Sequence, residues 1–256
     1  MLEVVTLPVL TDNYIYLLHD TLCNTTAVVD PALAEPVLAA LHSRGWQLDY
    51  IFNTHHHNDH VGGNLTLKQL TGCRIAGAAA DSLRIPGLDI GLHDGDSLSL
   101  GQHHWQIIAT PGHTSGHIVF YCAEQNLLFC GDTLFSLGCG RLFEGSPTQM
   151  WQSLQRLKTL PENTHVYCTH EYSQSNARFA LTLEPDNPDL QQRASQIAAL
   201  RNEHLSTLPS SIGLERATNP FLREHTPSIR RAVGATTTET AADVFSRTRA
   251  LKDQFN

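Results

Sequence analysis

The sequence lacks a basic excess, a long apolar run and paired cysteines, and each absence excludes a class of protein. Its formal net charge is −8, whereas a general nucleic-acid-binding protein needs a basic face. It has no run of about 18 uncharged apolar residues. Glu3 and Asp12 interrupt the apolar N-terminus, so we expect neither a membrane span nor a signal peptide. None of the six cysteines forms a C-x-x-C pair, which favours a reducing compartment, here the cytoplasm, over a disulfide framework.

The patterning of the chain changes near residue 171. Up to residue 170, short apolar runs bounded by turn residues predict strands, and helical patterns lie between them. Beyond that point apolar residues recur at three- and four-residue spacing, which predicts helices. The 256 residues therefore divide into a β-rich α/β domain at 1–170 and a small helical domain at 171–256.

Four polar clusters directly follow predicted strands. The first, THHHNDHVGG at residues 54–63, places four histidines and an aspartate within six positions. The others contain His113, Asp132 and His170. Loops at strand ends can converge at one edge of a layered sheet, so these clusters predict a single site.

The number of ligands predicts two metal ions, because one ion needs only three or four such groups. Two positions apart in extended backbone, His55 and His57 face the same side, and His56 faces away. We assign His55, His57 and His113 to a first ion and Asp59, His60 and His170 to a second, with Asp132 and a water or hydroxide bridging. These nitrogen and oxygen ligands suit zinc, which we expect, and also iron or manganese. His117 is either a residue that orients a ligand or a simple strand residue.

The motifs resemble the metallo-β-lactamase superfamily, and within it the hydroxyacylglutathione hydrolases. The resemblance lies in THHHNDH, TPGHTSGH, GDTLFSLGCGRLFEG, THEY and the terminal RALKDQF, and it spans essentially the whole chain. It implies a four-layer αββα sandwich followed by a small all-helical C-terminal domain. It also implies the same seven metal ligands, with Asp59 as a catalytic residue that orients the metal-bridging hydroxide.

The same resemblance implies five contacts to the glutathione part of the substrate: Arg141, Phe143, Tyr172, Arg249 and Lys252. Arg249 and Lys252 are three residues apart, so they share one helical face and can hold a carboxylate by charge-assisted hydrogen bonds. Taken alone, the pair could equally solvate a terminal helix and favour its dipole.

The resulting hypothesis is metal-dependent hydrolysis of the thioester of S-2-hydroxyacylglutathione, with S-D-lactoylglutathione as the expected substrate, by a monomer. It would be the second step of methylglyoxal detoxification. One alternative is a mononuclear-iron glutathione persulfide dioxygenase of the same superfamily, which would leave the second metal site incomplete. The other is a non-catalytic metal-binding protein or a nucleic-acid-processing protein on this fold, and the acidic net charge weighs against RNA as its ligand.

Overall fold

The computed structural model describes residues 1–255 and contains two compact units. Unit 1 comprises Met1–Ala109 and Gly116–Gly131, and unit 2 comprises Thr110–Ser115 and Asp132–Asn256. These compact units divide the chain differently from the expected boundary at residue 171, which stays a prediction. No helix within residues 1–255 has the length and apolar character that a bilayer crossing requires.

Unit 1 contains a six-stranded sheet in the order β1-β2-β3-β4-β5-β6. The first three strands pair antiparallel and the last three continue in parallel. Strand β2 is buried along its whole length, as its nearly continuous apolar sequence predicts. The bounds are β1 Leu2–Val9, β2 Asn13–Asp20, β3 Thr25–Val29, β4 Tyr50–Phe52, β5 Arg74–Ala78 and β6 Ile90–Leu92.

Four antiparallel strands of unit 1, in the order β10-β9-β8-β7, face this sheet. Aromatic rings fill the space between the two layers. Phe52 stacks on Phe120 with ring centroids 4.9 Å apart, and Tyr16 lies 5.3 Å from Phe129. The bounds are β7 Ser97–Leu100, β8 His103–Ala109, β9 Ile118–Cys122 and β10 Leu127–Gly131.

Helices cover the other face of the first sheet. Val37 and Leu67 pack with Ile51 and Ile75 in one apolar cluster, so unit 1 has layers of helix, sheet and sheet. Two of these helices end at a glycine with positive φ, the C-terminal signal present in the sequence. The bounds are α1 Ala34–Arg44, α2 Asn58–Val61 and α3 Asn64–Thr71.

Unit 2 is mainly helical, and its helices beyond residue 171 agree with the predicted periodicity. A two-residue strand, β14, departs from the expected all-helical C-terminal region. It pairs antiparallel with β13 through backbone groups, which leave no trace in an apolar pattern. The bounds are β11 Leu134–Phe135, β12 Gly138–Cys139, α4 Pro147–Lys158, β13 His165–Cys168, α5 Ser173–Leu183, α6 Pro188–Asn202, β14 Ser210–Ser211, α7 Ile212–Thr218, α8 Pro227–Ala232 and α9 Ala241–Asp253.

A buried carboxylate joins the ends of the two sheets of unit 1. Asp20, at the end of β2, accepts hydrogen bonds from the amides of Leu22, Cys23 and Gln102 at 2.9, 3.4 and 2.9 Å. Burial alone would raise the pKa of Asp20, but these amide hydrogen bonds outweigh it and lower the pKa from 3.8 to about 2. The charged form therefore stabilises the folded state.

We expect Asp20→Asn to lower the free energy of unfolding by about 1–3 kcal/mol at pH 7, because an amide is a weaker acceptor. The wild-type contribution is complete above the unfolded pKa and is lost as the pH falls from about 4 to about 2. Urea unfolding of both proteins between pH 7 and pH 2 measures this. Equal free energies of unfolding at pH 7 would contradict the assigned role.

Candidate functional site

The histidine loop of unit 1 directly follows β4 and presents its side chains in two close pairs. His55 Nε2 lies 3.0 Å from His57 Nδ1, so these two rings do face the same side. His60 Nε2 lies 3.7 Å from Asp59 Oδ2. The rings of His55 and His60 are 4.0 Å apart between centroids, and both side chains are fully buried. The loop therefore concentrates ligand atoms around two fully buried rings, while His57 and Asp59 remain partly exposed.

Asp30 orients two of these imidazoles, a role that the sequence pattern did not predict. Its carboxylate accepts hydrogen bonds from Thr54 N at 2.8 Å and Thr54 Oγ1 at 2.7 Å, and it lies 3.0 Å from His60 Nδ1. A carboxylate can only accept, so we assign the His60 proton to Nδ1. The Thr54 hydroxyl proton goes to Asp30, so this hydroxyl accepts from His55 Nδ1 at 3.1 Å. Nε2 of both rings is thereby left with the lone pair that a metal requires.

Asn13 fixes the half-buried carboxylate of Asp59. The Asn13 amide donates to Asp59 Oδ2 at 3.2 Å and to the Asp59 carbonyl at 3.3 Å. Asn13 is itself buried at the start of β2. It is a second contributor that strand and loop patterns did not indicate.

The remaining two histidines of this region differ in their surroundings. His56 turns to Asp81, with Nδ1 at 3.3 Å from Oδ2, as its position between His55 and His57 predicted. His117 is buried and stacks on His55 with centroids 4.9 Å apart. Its ring therefore supports the orientation of His55.

Unit 2 supplies a second set built around Asp132. One carboxylate oxygen of Asp132 lies 3.4 Å from His113 Nε2, and the other lies 3.4 Å from His170 Nε2. All three side chains are at least nine-tenths buried. His113 Nδ1 lies 2.8 Å from the carbonyl oxygen of Arg141, so we assign its proton to Nδ1 and the lone pair to Nε2. Each oxygen of the Asp132 carboxylate therefore lies near a different imidazole.

The predicted substrate residues also lie in unit 2, and their exposure differs. Phe143 is 65% exposed and its ring lies 5.2 Å from His113. Tyr172 is 38% exposed and stacks on His170 with centroids 4.8 Å apart. Arg141 is exposed. Aromatic surface and a cation therefore flank the Asp132 set.

Arg249 and Lys252 occupy different environments although both lie on α9. The Arg249 guanidinium is 4% exposed; it donates to the Cys139 carbonyl at 2.9 Å and to Asp253 at 2.9 Å. Lys252 is partly exposed, and its Nζ donates to Ser175 Oγ at 3.4 Å. Lys252 is thus the member of this pair that is accessible to a ligand.

A buried polar network holds the hairpin β11–β12, which joins Asp132 to Arg141. Glu215 accepts from the Leu137 amide at 2.9 Å and pairs with Arg193. Asn219 donates to the carbonyls of Phe135 and Gly138 at 3.2 and 3.0 Å. Helices α6 and α7 therefore determine the course of this hairpin, since buried backbone groups must find partners.

Comparison with known proteins agrees with this geometry. A model of the metallo-beta-lactamase superfamily matches residues 10–170, and a model of the hydroxyacylglutathione hydrolase C-terminus matches residues 171–255. The chain belongs to the hydroxyacylglutathione hydrolase family of the metallo-beta-lactamase superfamily. The expected sandwich with a helical C-terminal region is thereby confirmed.

Members of the hydroxyacylglutathione hydrolase family match over nearly their full length. The hydroxyacylglutathione hydrolase of Methylococcus capsulatus is 54% identical, covering 100% of this chain and 99% of that protein. That of Rhodospirillum rubrum is 50% identical, covering 99% of each. The structure of TTHA1623 in a di-iron-bound form is 26% identical, with a TM-score of 0.60, and covers 86% of this chain and 100% of that chain.

The side chains of both sets suit a divalent ion. The described His and Asp residues form clusters able to bind metal ions, and the donors are imidazole nitrogens and carboxylate oxygens that zinc, iron and manganese accept. The Asp132 carboxylate is buried between two imidazoles, and a buried carboxylate is costly without a compensating positive charge. The donor chemistry therefore fits the cofactor that the family implies.

We expect Asp30→Ala to weaken metal binding by about 10–100-fold, because His60 loses its carboxylate acceptor and the Thr54 hydroxyl, which accepts from His55, loses the group that orients it. Competition with a chromogenic chelator measures the zinc affinity. Asp89→Ala is the matched control, since the Asp89 carboxylate accepts from Ile75 N at 2.9 Å and Lys68 at 2.6 Å in the same unit. A folded Asp30→Ala protein with wild-type zinc affinity would refute the assignment.

Proposed function

We propose that this protein hydrolyses the thioester of S-2-hydroxyacylglutathiones, with S-D-lactoylglutathione as the substrate, using two divalent metal ions. The observation that carries the proposal is the combination of two largely buried His/Asp sets with nearly full-length relatives named hydroxyacylglutathione hydrolase. Zinc is the expected metal, with iron or manganese as alternatives. The products are glutathione and a 2-hydroxy acid, D-lactate in the case of this substrate.

The proposed ligands are the seven side chains predicted from sequence: His55, His57, Asp59, His60, His113, Asp132 and His170. The assigned proton positions support these ligands. His55, His60 and His113 each direct Nδ1–H to a fixed acceptor, so the lone pair on Nε2 is available to a metal ion. The two oxygens of Asp132, each directed to a different histidine, support its bridging role. The di-iron form of TTHA1623 supports a count of two.

Bound divalent ions would supply Lewis-acid activation of water and of the thioester carbonyl. The protein's own contribution is orientation. Asn13 holds the Asp59 carboxylate, so Asp59 can accept a hydrogen bond from the attacking water in a fixed direction. The leaving thiolate belongs to a thiol with a pKa near 8.5, so its departure needs no strong general acid.

Substrate recognition is assigned to unit 2. Glutathione carries two carboxylates and one ammonium, so cations and aromatic surface suit it. We assign Arg141 and Lys252 to the carboxylates and Phe143 and Tyr172 to packing against the peptide. Arg249 is almost fully buried, so we assign its part in binding to its charge and to its hold on the Cys139 carbonyl. In this assignment residues 1–170 form the catalytic domain and 171–256 the substrate-binding domain.

The alternative of a persulfide dioxygenase has weaker support. The relatives at 50–54% identity carry the hydrolase name, and Asp59, His60 and His170, which would complete a second metal site, are all present. None of the six cysteines, all of which lie in the described part of the chain, forms a disulfide, which supports a cytoplasmic location. The monomeric state stays a prediction.

We expect the purified protein to contain close to two metal ions per chain and to cleave S-D-lactoylglutathione far faster than a thioester without glutathione. Elemental analysis and spectrophotometric assays measure both. Asp132→Ala should abolish hydrolysis, whereas Asp186→Ala, an exposed change, should not. About one ion per chain together with dioxygen uptake would favour the dioxygenase. Bound metal without thioester hydrolysis would favour a binding protein.

Lys252 should make substrate binding depend on pH. Burial, and then the charges of Arg249, Arg178 and Arg141, lower the pKa of Lys252 from 10.5 to about 8. Lys252 is charged below that pH and becomes neutral above it. We therefore expect the KM for the glutathione thioester to rise by up to about tenfold as the pH passes from 7 to 9.

Lys252→Arg should remove most of this rise, because a guanidinium stays charged. Lys252→Glu should raise KM at pH 7 much more than it lowers kcat. Arg247→Glu is the matched control on the same helix, since Arg247 pairs with Glu239 at 2.7 Å. A wild-type KM in Lys252→Glu would exclude Lys252 from binding.

A further inference from the structure

The segment 141–145 is bonded along its length to the loop that carries His113. Phe143 N donates to the His113 carbonyl at 3.2 Å, and Gly145 N donates to the Gly112 carbonyl at 3.0 Å. His113 Nδ1 donates to the Arg141 carbonyl at 2.8 Å. The segment that carries two predicted substrate contacts therefore also fixes the ring of a predicted metal ligand.

Glycine makes this close approach possible. A Cβ at residue 145 would lie 2.6 Å from the Gly112 Cα, and Gly112 adopts φ +152° against Met150. The backbones at 112 and 145 therefore touch in a way that residues with a side chain could not repeat. This backbone contact lies at Gly112 and Gly145, so it does not hold the other end of the His113 loop, at Ser115.

The Glu144 side chain links segment 141–145 to this end of the His113 loop. Its Oε2 accepts from both Ser115 N and Ser115 Oγ at 2.7 Å. Both residues are exposed, so the contact is not a consequence of burial. A charged acceptor with two short bonds to one residue is a strong and directional contact for a surface position.

We propose that Glu144 is a positioning residue that acts through Ser115. It fastens the substrate segment 141–145 to the loop of His113, so that the placement of Arg141 and Phe143 and the orientation of the His113 ring are set together. The inference rests on the proposed function for its substrate and on the hydrogen bonds above for its geometry. Neither Glu144 nor Ser115 contacts the reacting atoms in this account.

The Glu144–Ser115 contact affects both the placement of Arg141 and Phe143 and the orientation of the His113 ring. If the Glu144–Ser115 contact is lost, the segment keeps its inner contacts with Gly112 and His113 but loses the contact at its outer end. Arg141 and Phe143 then sample more positions, and binding the substrate must order them at an entropic cost. The Arg141 carbonyl moves with the segment, so the His113 ring loses part of its fixed direction.

The test uses Glu144→Ala, Glu144→Gln and Ser115→Ala in the metal-loaded, full-length protein. We expect Glu144→Ala to raise the KM for the glutathione thioester about tenfold, equivalent to about 1.4 kcal/mol, with kcat changed by less than about threefold. Glu144→Gln keeps an oxygen acceptor and should recover most of the loss. Ser115→Ala removes only the hydroxyl bond and should have a smaller effect, and the double variant should be no worse than Glu144→Ala, because Glu144→Ala already removes both bonds to Ser115.

A second readout separates positioning from general stability. The visible absorption of the cobalt-substituted protein reports the ligand geometry, and it should change in Glu144→Ala. Glu162→Ala is the control, since Glu162 is an exposed carboxylate of the same unit paired with Arg216 at 3.1 Å. It should leave both KM and the cobalt spectrum unchanged.

An unchanged KM and an unchanged cobalt spectrum in Glu144→Ala would overturn the inference. A lower thermal midpoint with both readouts unchanged would also overturn it, because it would show a purely structural role. Failure of the wild-type protein to hydrolyse glutathione thioesters would refute the proposed function instead. The cobalt spectrum would still test the Glu144 contact in that case.

Discussion

The structure of the histidine loop depends on one buried carboxylate. Asp30 ends β3, and the parallel pairing of β3 with β4 places Val29 beside Phe52, so Asp30 lies next to the start of the loop at Thr54. Its two oxygens then accept from the Thr54 amide, the Thr54 hydroxyl and His60. Strand pairing thus determines which nitrogen of His55 and His60 carries the proton. A metal ligand must present a lone pair, so the sheet register is a condition for the chemistry.

In unit 2, a different kind of group determines which nitrogen of a histidine carries the proton. There the orientation of His113 comes from a backbone carbonyl, that of Arg141, and the segment leading to it is a hairpin held by Glu215 and Asn219. These residues lie in α7 and after it, far along the chain. The helical region is therefore a structural requirement for the segment after Asp132 and not only a surface for a substrate.

The sequence indicated the candidate ligands, which stay a prediction, better than it indicated the residues that orient their side chains. Histidines at 55, 57 and 60 are costly to bury, so their crowding alone pointed to a cation. Asp30 did not stand out, because an aspartate before Pro31 reads as an ordinary turn signal at the end of a strand. The sequence predicted that Arg249 and Lys252 form an exposed pair, because helical spacing gives no information about the contact of Arg249 with Cys139, which is 110 positions away. The sequence did not predict strand β14, because two serines show no alternation of apolar and polar residues.

Burial lowers the pKa of Lys252, and the charge of the buried Arg249 lowers it further. Arg249 stays charged when buried, because a guanidinium does not lose its proton in proteins, and its field lowers the pKa of the neighbouring lysine. Arg178 and Arg141 act on Lys252 in the same direction. An anion bound at this cluster would oppose that field and raise the pKa of Lys252. Binding of the anion and binding of the proton are therefore reciprocal, and near pH 8 each promotes the other. In a chain with a net charge of −8, binding of the proposed anionic substrate would thus increase the positive charge at Lys252.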